Sequence, residues 1–173
     1  GIYTDCIADA LDLPFATNSI DTIVGIDVLH HFSKPEKFFE SAQTCLKPGG
    51  KIILVEPWAG VFGRWIYSKF HHEECKRISN PFASAAASSK EPMEGNAMIP
   101  RQCLIEGKEY ILSLGFSKIS SEYFGSLSYL ATGGFQAWGL PKFLIKQLLF
   151  FEKILPQLVM NIIALRLITV IEK

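Results

Sequence analysis

The chain has 173 residues, 49% of them hydrophobic and 20% charged, which is enough apolar chain for one cored domain and excludes a disordered tract. Seventeen basic and seventeen acidic residues cancel, so the basic surplus that nucleic-acid binding demands is missing and no nucleic-acid partner is expected. Cys6, Cys45, Cys75 and Cys103 lack CxxC spacing, which argues against structural zinc and a disulfide framework and suits a reducing cytoplasm; no secretory leader is read.

In chain order, the mixed run Tyr3 to Ala8 is expected to be a strand, followed by a turn-rich connection from Asp12 to Ser19. Asp21 to Leu29 is β-branched and apolar, as a strand buried in a parallel sheet would be. A helix follows, with Ser33 and Glu36 spaced for a capping box and Pro35 in the first turn. Phe38, Ala42, Cys45 and Leu46 share one face, and Pro48-Gly49-Gly50 is expected to stop the helix after Lys47. Lys51 to Glu56 is then a second buried strand, completing a βαβ unit.

From Trp58 to Cys103 the pattern is less regular and reads as an insertion. Residues 83–89 and 91–96 read as loop, the first of them mobile. A helix is expected from Ile105 to Leu114, ended by Gly115. Extended chain is expected over Phe116–Phe124 and Ser126–Thr132. A helix over Pro141–Leu155 is broken at Pro156, and Leu165–Glu172 is a final strand.

The ordered set Ala8-Asp9-Ala10-Leu11-Asp12-Leu13-Pro14-Phe15, Ser19 to Val24, Val28-Leu29-His30-His31-Phe32, Leu46-Lys47-Pro48-Gly49-Gly50 and Val55-Glu56-Pro57 resembles the class I S-adenosylmethionine-dependent methyltransferases. The resemblance is to the small-molecule branch with quinone- and sugar-methyltransferase-like members, strong from Asp9 to Pro57 and weaker to Lys173. It implies an α/β fold, a Rossmann-like methyltransferase sheet with helical insertions after the second buried strand and before the last strand. Residues 1–173 would form one partial domain, with 58–103 a substrate-side insertion.

The resemblance implies S-adenosylmethionine as cofactor, with Asp9 accepting from the adenine amino group and Ala10 and Leu11 lining the ring. Ile26 and Asp27 would border the methionine part. His31 and His30 would open toward a small-molecule acceptor, with Glu56 as the acid paired to a histidine, His31 being favoured. The expected reaction is O-methylation of a sugar, glycolipid or similar compound.

The family pattern also needs a glycine turn and a ribose acid, yet none of the 13 glycines forms Gly-x-Gly. The first two βα units of the pattern are therefore expected before Gly1, the chain reading as N-terminally truncated. Two function readings stay open: a methyltransferase, and a degenerate fragment that binds no cofactor itself and acts structurally or not at all. A dehydrogenase is disfavoured, because the dinucleotide fingerprint is absent.

Other residues carry competing readings. Asp9 also suits a plain loop or cap, and the histidines suit one packed and one exposed ring. His71-His72-Glu73-Glu74-Cys75 point in different directions on a helix, so no metal site is expected there. Trp58, Phe62, Trp65, Tyr67 and Phe70 divide between core packing and an acceptor wall. The apolar stretch 143–165 reads first as a core- or homodimer-facing helix. Second, it reads as a membrane-surface or lipid-linked-substrate contact, making the cytoplasmic protein peripheral at a membrane.

Overall fold

The computed structural model describes residues 6–70, 74–82, 95–133 and 139–173. Its centre is a four-stranded mixed sheet of order β1-β2-β4-β3. These strands are β1 (Ile20–Ile26), β2 (Leu46–Pro57), β3 (Lys118–Phe124) and β4 (Arg166–Glu172). β1 and β2 run parallel, in register from Thr22 opposite Lys51 to Ile26 opposite Val55. β4 lies antiparallel between β2 and β3, pairing Glu56 with Leu167 and Tyr123 with Leu167 from its two sides. The carboxyl ends of β1, β2 and β3 therefore gather at the edge where β4 begins.

Helix α1 (Pro35–Cys45) joins β1 to β2. Its buried Phe38, Phe39 and Ala42 pack with Leu29, Ile52, Leu54 and Ile171 in the main core. Removing a ring such as that of Phe39 from such a core costs about 3–5 kcal/mol. Helix α2 (Val61–Phe70) follows β2, and α3 (Lys108–Ser113) precedes β3. Three short helices, α4 (Leu127–Ala131), α5 (Lys142–Ile154) and α6 (Gln157–Ile163), separate β3 from β4.

Several local expectations are corrected. Residues 6–8 form no strand, while residues 3–5 lie outside the described residues. β1 stops at Ile26 because Asp27 turns into the left-handed region (φ 53°), and Leu29–His31 form one 3-10 turn. The capping box does not form: Lys34 is the residue before α1, and Glu36 is buried against the core. α1 ends at Cys45, and Pro48-Gly49-Gly50 lie inside β2 as a bulge. Ile20 pairs with Leu46 but Thr22 with Lys51, and Gly49 (φ 76°) takes the turn that the extra residues need.

The single helix expected over 105–114 is split. A π-helical turn over Arg101–Glu106 meets α3 at Gly107, where a Cβ would sit 2.5 Å from the Phe82 ring. Within Ser126–Thr132, Leu127–Ala131 is helical (α4), not extended, because Glu152 caps it. That carboxylate accepts from the Ser126 and Ser128 amides at 3.2 and 2.9 Å and from the Ser128 hydroxyl. Residues 83–90 and 91–94, and with them most of the expected loop, lie outside the described residues, as do His71, His72 and Glu73.

Candidate functional site

The site is built on the carboxyl ends of β1 and β2. Adjacent parallel strands bring the residues that follow Ile26 beside those that end β2, at the edge where open α/β sheets bind ligands. The Asp27 amide donates to the Val55 carbonyl (2.9 Å), so the left-handed turn is anchored on β2 before the chain departs.

Glu56 holds that departure. Its side chain is fully buried, and Oε1 accepts from the amides of Val28 and Leu29 at 3.0 and 2.8 Å. Oε2 lies 2.7 Å from Nδ1 of His30, which is 4% exposed. A buried carboxylate is costly unless its oxygens are satisfied, and here two amides and an imidazole do so. The result is a rigid Asp27-Val28-Leu29-His30 turn whose shape depends on one acid.

The imidazole bound to Glu56 is thus that of His30, where the sequence favoured His31. His31 is half-buried, its ring tilted against His30 with centroids 4.1 Å apart. Asp27 makes a 2.6 Å ion pair with Arg166, the first residue of β4. Arg166 is buried and also lies over the Tyr129 ring, 5.4 Å from its centroid. Burial opposes the Arg166 charge, and Asp27 with Tyr129 and Tyr67 outweighs it, holding the group above its ordinary pKa. Burial likewise pushes the Tyr67 phenol far up, and its hydroxyl donates to the Leu165 carbonyl.

Arg166, Tyr129 and Tyr67 complete a polar cluster that the sequence reading did not assemble. The one available signal was an arginine inside the apolar run Leu165 to Ile168, since a strand that buries its flanks must pair such a charge.

Donor atoms of Asp27, His30 and Glu56 come within 4.8 Å of one another, a separation a metal ion can bridge. The donor set speaks against that use: both Glu56 oxygens are bonded, and Asp27 faces a guanidinium.

Asp9, Ala10 and Leu11 stand in an exposed turn. Asp9 Oδ1 accepts from the Leu11 amide (2.9 Å), and the Asp12 amide donates to the Asp9 carbonyl (3.2 Å). Ala10 and Leu11 pack against the core, and the Leu13 amide donates to the Ser41 hydroxyl of α1 (2.8 Å). Ile26 is 62% exposed on the outer strand of the described sheet.

The segment after β2 folds back over the turn, with the Asn96 amide donating to the His30 carbonyl (2.9 Å). Its aromatic residues divide. Trp58 and Tyr67 are buried, Trp58 donating to the Asn161 carbonyl (2.8 Å), while Trp65 and Phe70 are exposed.

The comparisons with known proteins agree with this architecture. A family model described as "Methyltransferase domain" matches residues 4–54. The chain is 28% identical over 114 residues to a demethylmenaquinone methyltransferase of Renibacterium salmoninarum, covering 65% of this chain and 47% of that protein. Two solved structures match 96% of the chain with TM-scores of 0.53. One is a SAM-dependent methyltransferase from Archaeoglobus fulgidus (12% identical, 66% of it covered). The other is a SAM-dependent methyltransferase from Thermotoga maritima, described as a possible histamine N-methyltransferase (13% identical, 62% covered). The chain spans about half the length of the curated relative; residues 4–54 match the methyltransferase-domain pattern, and the fold is that of the two solved SAM-dependent methyltransferases. Among the described residues no helix is long and apolar enough to cross a membrane.

Proposed function

We propose that the chain serves methyl transfer from S-adenosylmethionine to a small-molecule acceptor, at an oxygen of a sugar, glycolipid or similar compound. The observation that carries this reading is the Glu56 brace, a buried acid at the carboxyl end of β2 that shapes the turn after β1 and fixes His30. An acceptor site needs such a rigid support, because methyl transfer depends mainly on alignment.

The residues present fit the cofactor on its adenine side. Asp9 is exposed and spends only Oδ1 on the Leu11 amide, so its carboxylate can accept from an exocyclic amine while Ala10 and Leu11 offer apolar surface. In this reading Asp27, ion-paired with Arg166, and Ile26 beside it border the methionine part. When bound, the cofactor supplies an electrophilic methyl on sulfur. His31, less buried than His30, takes the acceptor's hydroxyl proton, and His30 and Glu56 act as positioning residues. In this reading 58–103 is the acceptor-side insertion, and its residue Asn96 is tied back to the His30 carbonyl.

Isothermal titration with S-adenosylmethionine tests the assignment. Binding is expected to weaken at least tenfold in Asp9→Ala, the loss of about one hydrogen bond to a charged group. Unchanged binding in that variant overturns the adenine role. The second reading, a chain that binds no cofactor by itself, is favoured by the exposed outer strand β1, where Val24 and Ile26 are uncovered. Absence of any binding heat in a folded sample decides for it.

A further inference from the structure

The stretch 143–165 was expected to face the core or a second copy; Met160 and Ala164 do join the core, while no residue of α5 is buried. At about 100° per residue, its half-buried Leu144, Leu148 and Glu152 lie on the side toward the protein. Opposite them, Phe143, Phe150 and Ile154 fall within about 40° of one another and are all exposed. Beside that apolar stripe, Lys142, Lys146 and Lys153 fall within another arc of about 40°. α6 extends the apolar surface with Leu158 (77% exposed) and Ile162, and it contains no charged residue.

The acid of α5 is withdrawn from this surface. Glu152 turns inward to cap α4, so from Lys142 to Ile163 the outer side presents three cations and no anion. Among the described residues none of the three lysines makes an ion pair.

We propose that α5 and α6 form a docking face for a membrane surface rich in anionic phospholipid. Aromatic and aliphatic side chains would enter the headgroup boundary while the lysine stems reach along it to the phosphates. Charge complementarity selects this occupant over a second copy. A symmetric pairing of two such faces brings cations to a surface that offers no anion, whereas an anionic leaflet supplies counter-charge along the whole stripe. The proposal stands apart from the methyl-transfer reading, since docking requires no cofactor.

Co-sedimentation of the full chain with phosphatidylglycerol-rich vesicles, against pure phosphatidylcholine vesicles, tests it. Binding to the anionic vesicles alone, weakened by added salt, is expected. Replacing Lys142, Lys146 and Lys153 together by Gln should weaken it by roughly 100-fold, at about fivefold per lysine. Phe150→Glu with Ile154→Glu should abolish it. Circular dichroism melting of each variant establishes that the fold persists. No vesicle binding, or binding indifferent to both sets of substitutions, overturns the proposal. So does a dimer in light scattering that Phe150→Glu converts to monomer.

Discussion

Two regions of this molecule invert the ordinary rule of burial in opposite directions. At the end of β2 a carboxylate, an imidazole and a guanidinium are placed inside. Along α5 the phenylalanines are placed outside. The difference is one of partners. Every polar atom of Glu56 has one within the fold, so its burial specifies a single turn geometry. The rings of α5 stay outside the core, Phe150 and Phe151 meeting edge to face with each other, so they add little to folding and remain available to something beyond the domain.

Glu56→Ala should break the inner region most severely. Two amides and the His30 imidazole lose their acceptor, and about 3–5 kcal/mol of unfolding free energy should disappear in urea titration. Arg166→Met leaves the Asp27 carboxylate without its cation, at a cost of about 1–3 kcal/mol. Asp27→Asn should cost less, because that side chain is half exposed. A double-mutant cycle between them isolates the pair.

Lys173→Met comes next, at about 1–2 kcal/mol in thermal unfolding. Its ammonium donates to the carbonyls of Gln43 and Leu46 at the end of α1, serving the place where helix carbonyls lack partners. Acid titration should show a smaller effect. Glu106 is held below its ordinary pKa, first by the Arg77 hydrogen bond and then by Arg101, against the opposing effect of burial. A depressed acid stabilises the fold fully above its unfolded pKa of about 4.3, and that contribution fades as pH falls through the lower folded value. Arg77→Ala should therefore narrow the stability gap between neutral and mildly acidic solution. On the outer region Phe150→Ser should change stability by no more than about 0.5 kcal/mol, which sharpens the contrast with Glu56.

How much of this could be read in advance follows the same division. Periodicity placed α1, α5 and β4 within a few residues, and the second half of β2 though not its first five residues, because those patterns are local. The end of β1 was not legible, since Val28 and Leu29 continue the β-branched and apolar run while the turn is imposed by Glu56 from 28 residues away. α4 was read as extended for the same reason, its cap being supplied by a later helix. The Ser33–Glu36 box had the right spacing and lost to the burial of Glu36. At the site, Glu56 and a histidine were legible as a pair. Which histidine was not, because two adjacent residues leave a 3-10 turn in different directions and only the turn's anchoring decides.

The place of β4 has a consequence for the order of assembly. It is the last of the described strands and yet lies between β2 and β3, pairing Lys51 with Glu172 and Lys118 with Glu172. Until residues 166–172 arrive, β2 has a hydrogen-bonded neighbour on one side only, and β3 has none among the described strands. Closing the sheet means closing a loop of more than a hundred residues in one late step, a topology that folds slowly and exposes apolar strand edges meanwhile. The arrival of Arg166 in that step also delivers the partner of Asp27. The candidate site therefore cannot mature before the sheet does, and a chain cut short of β4 would lack both.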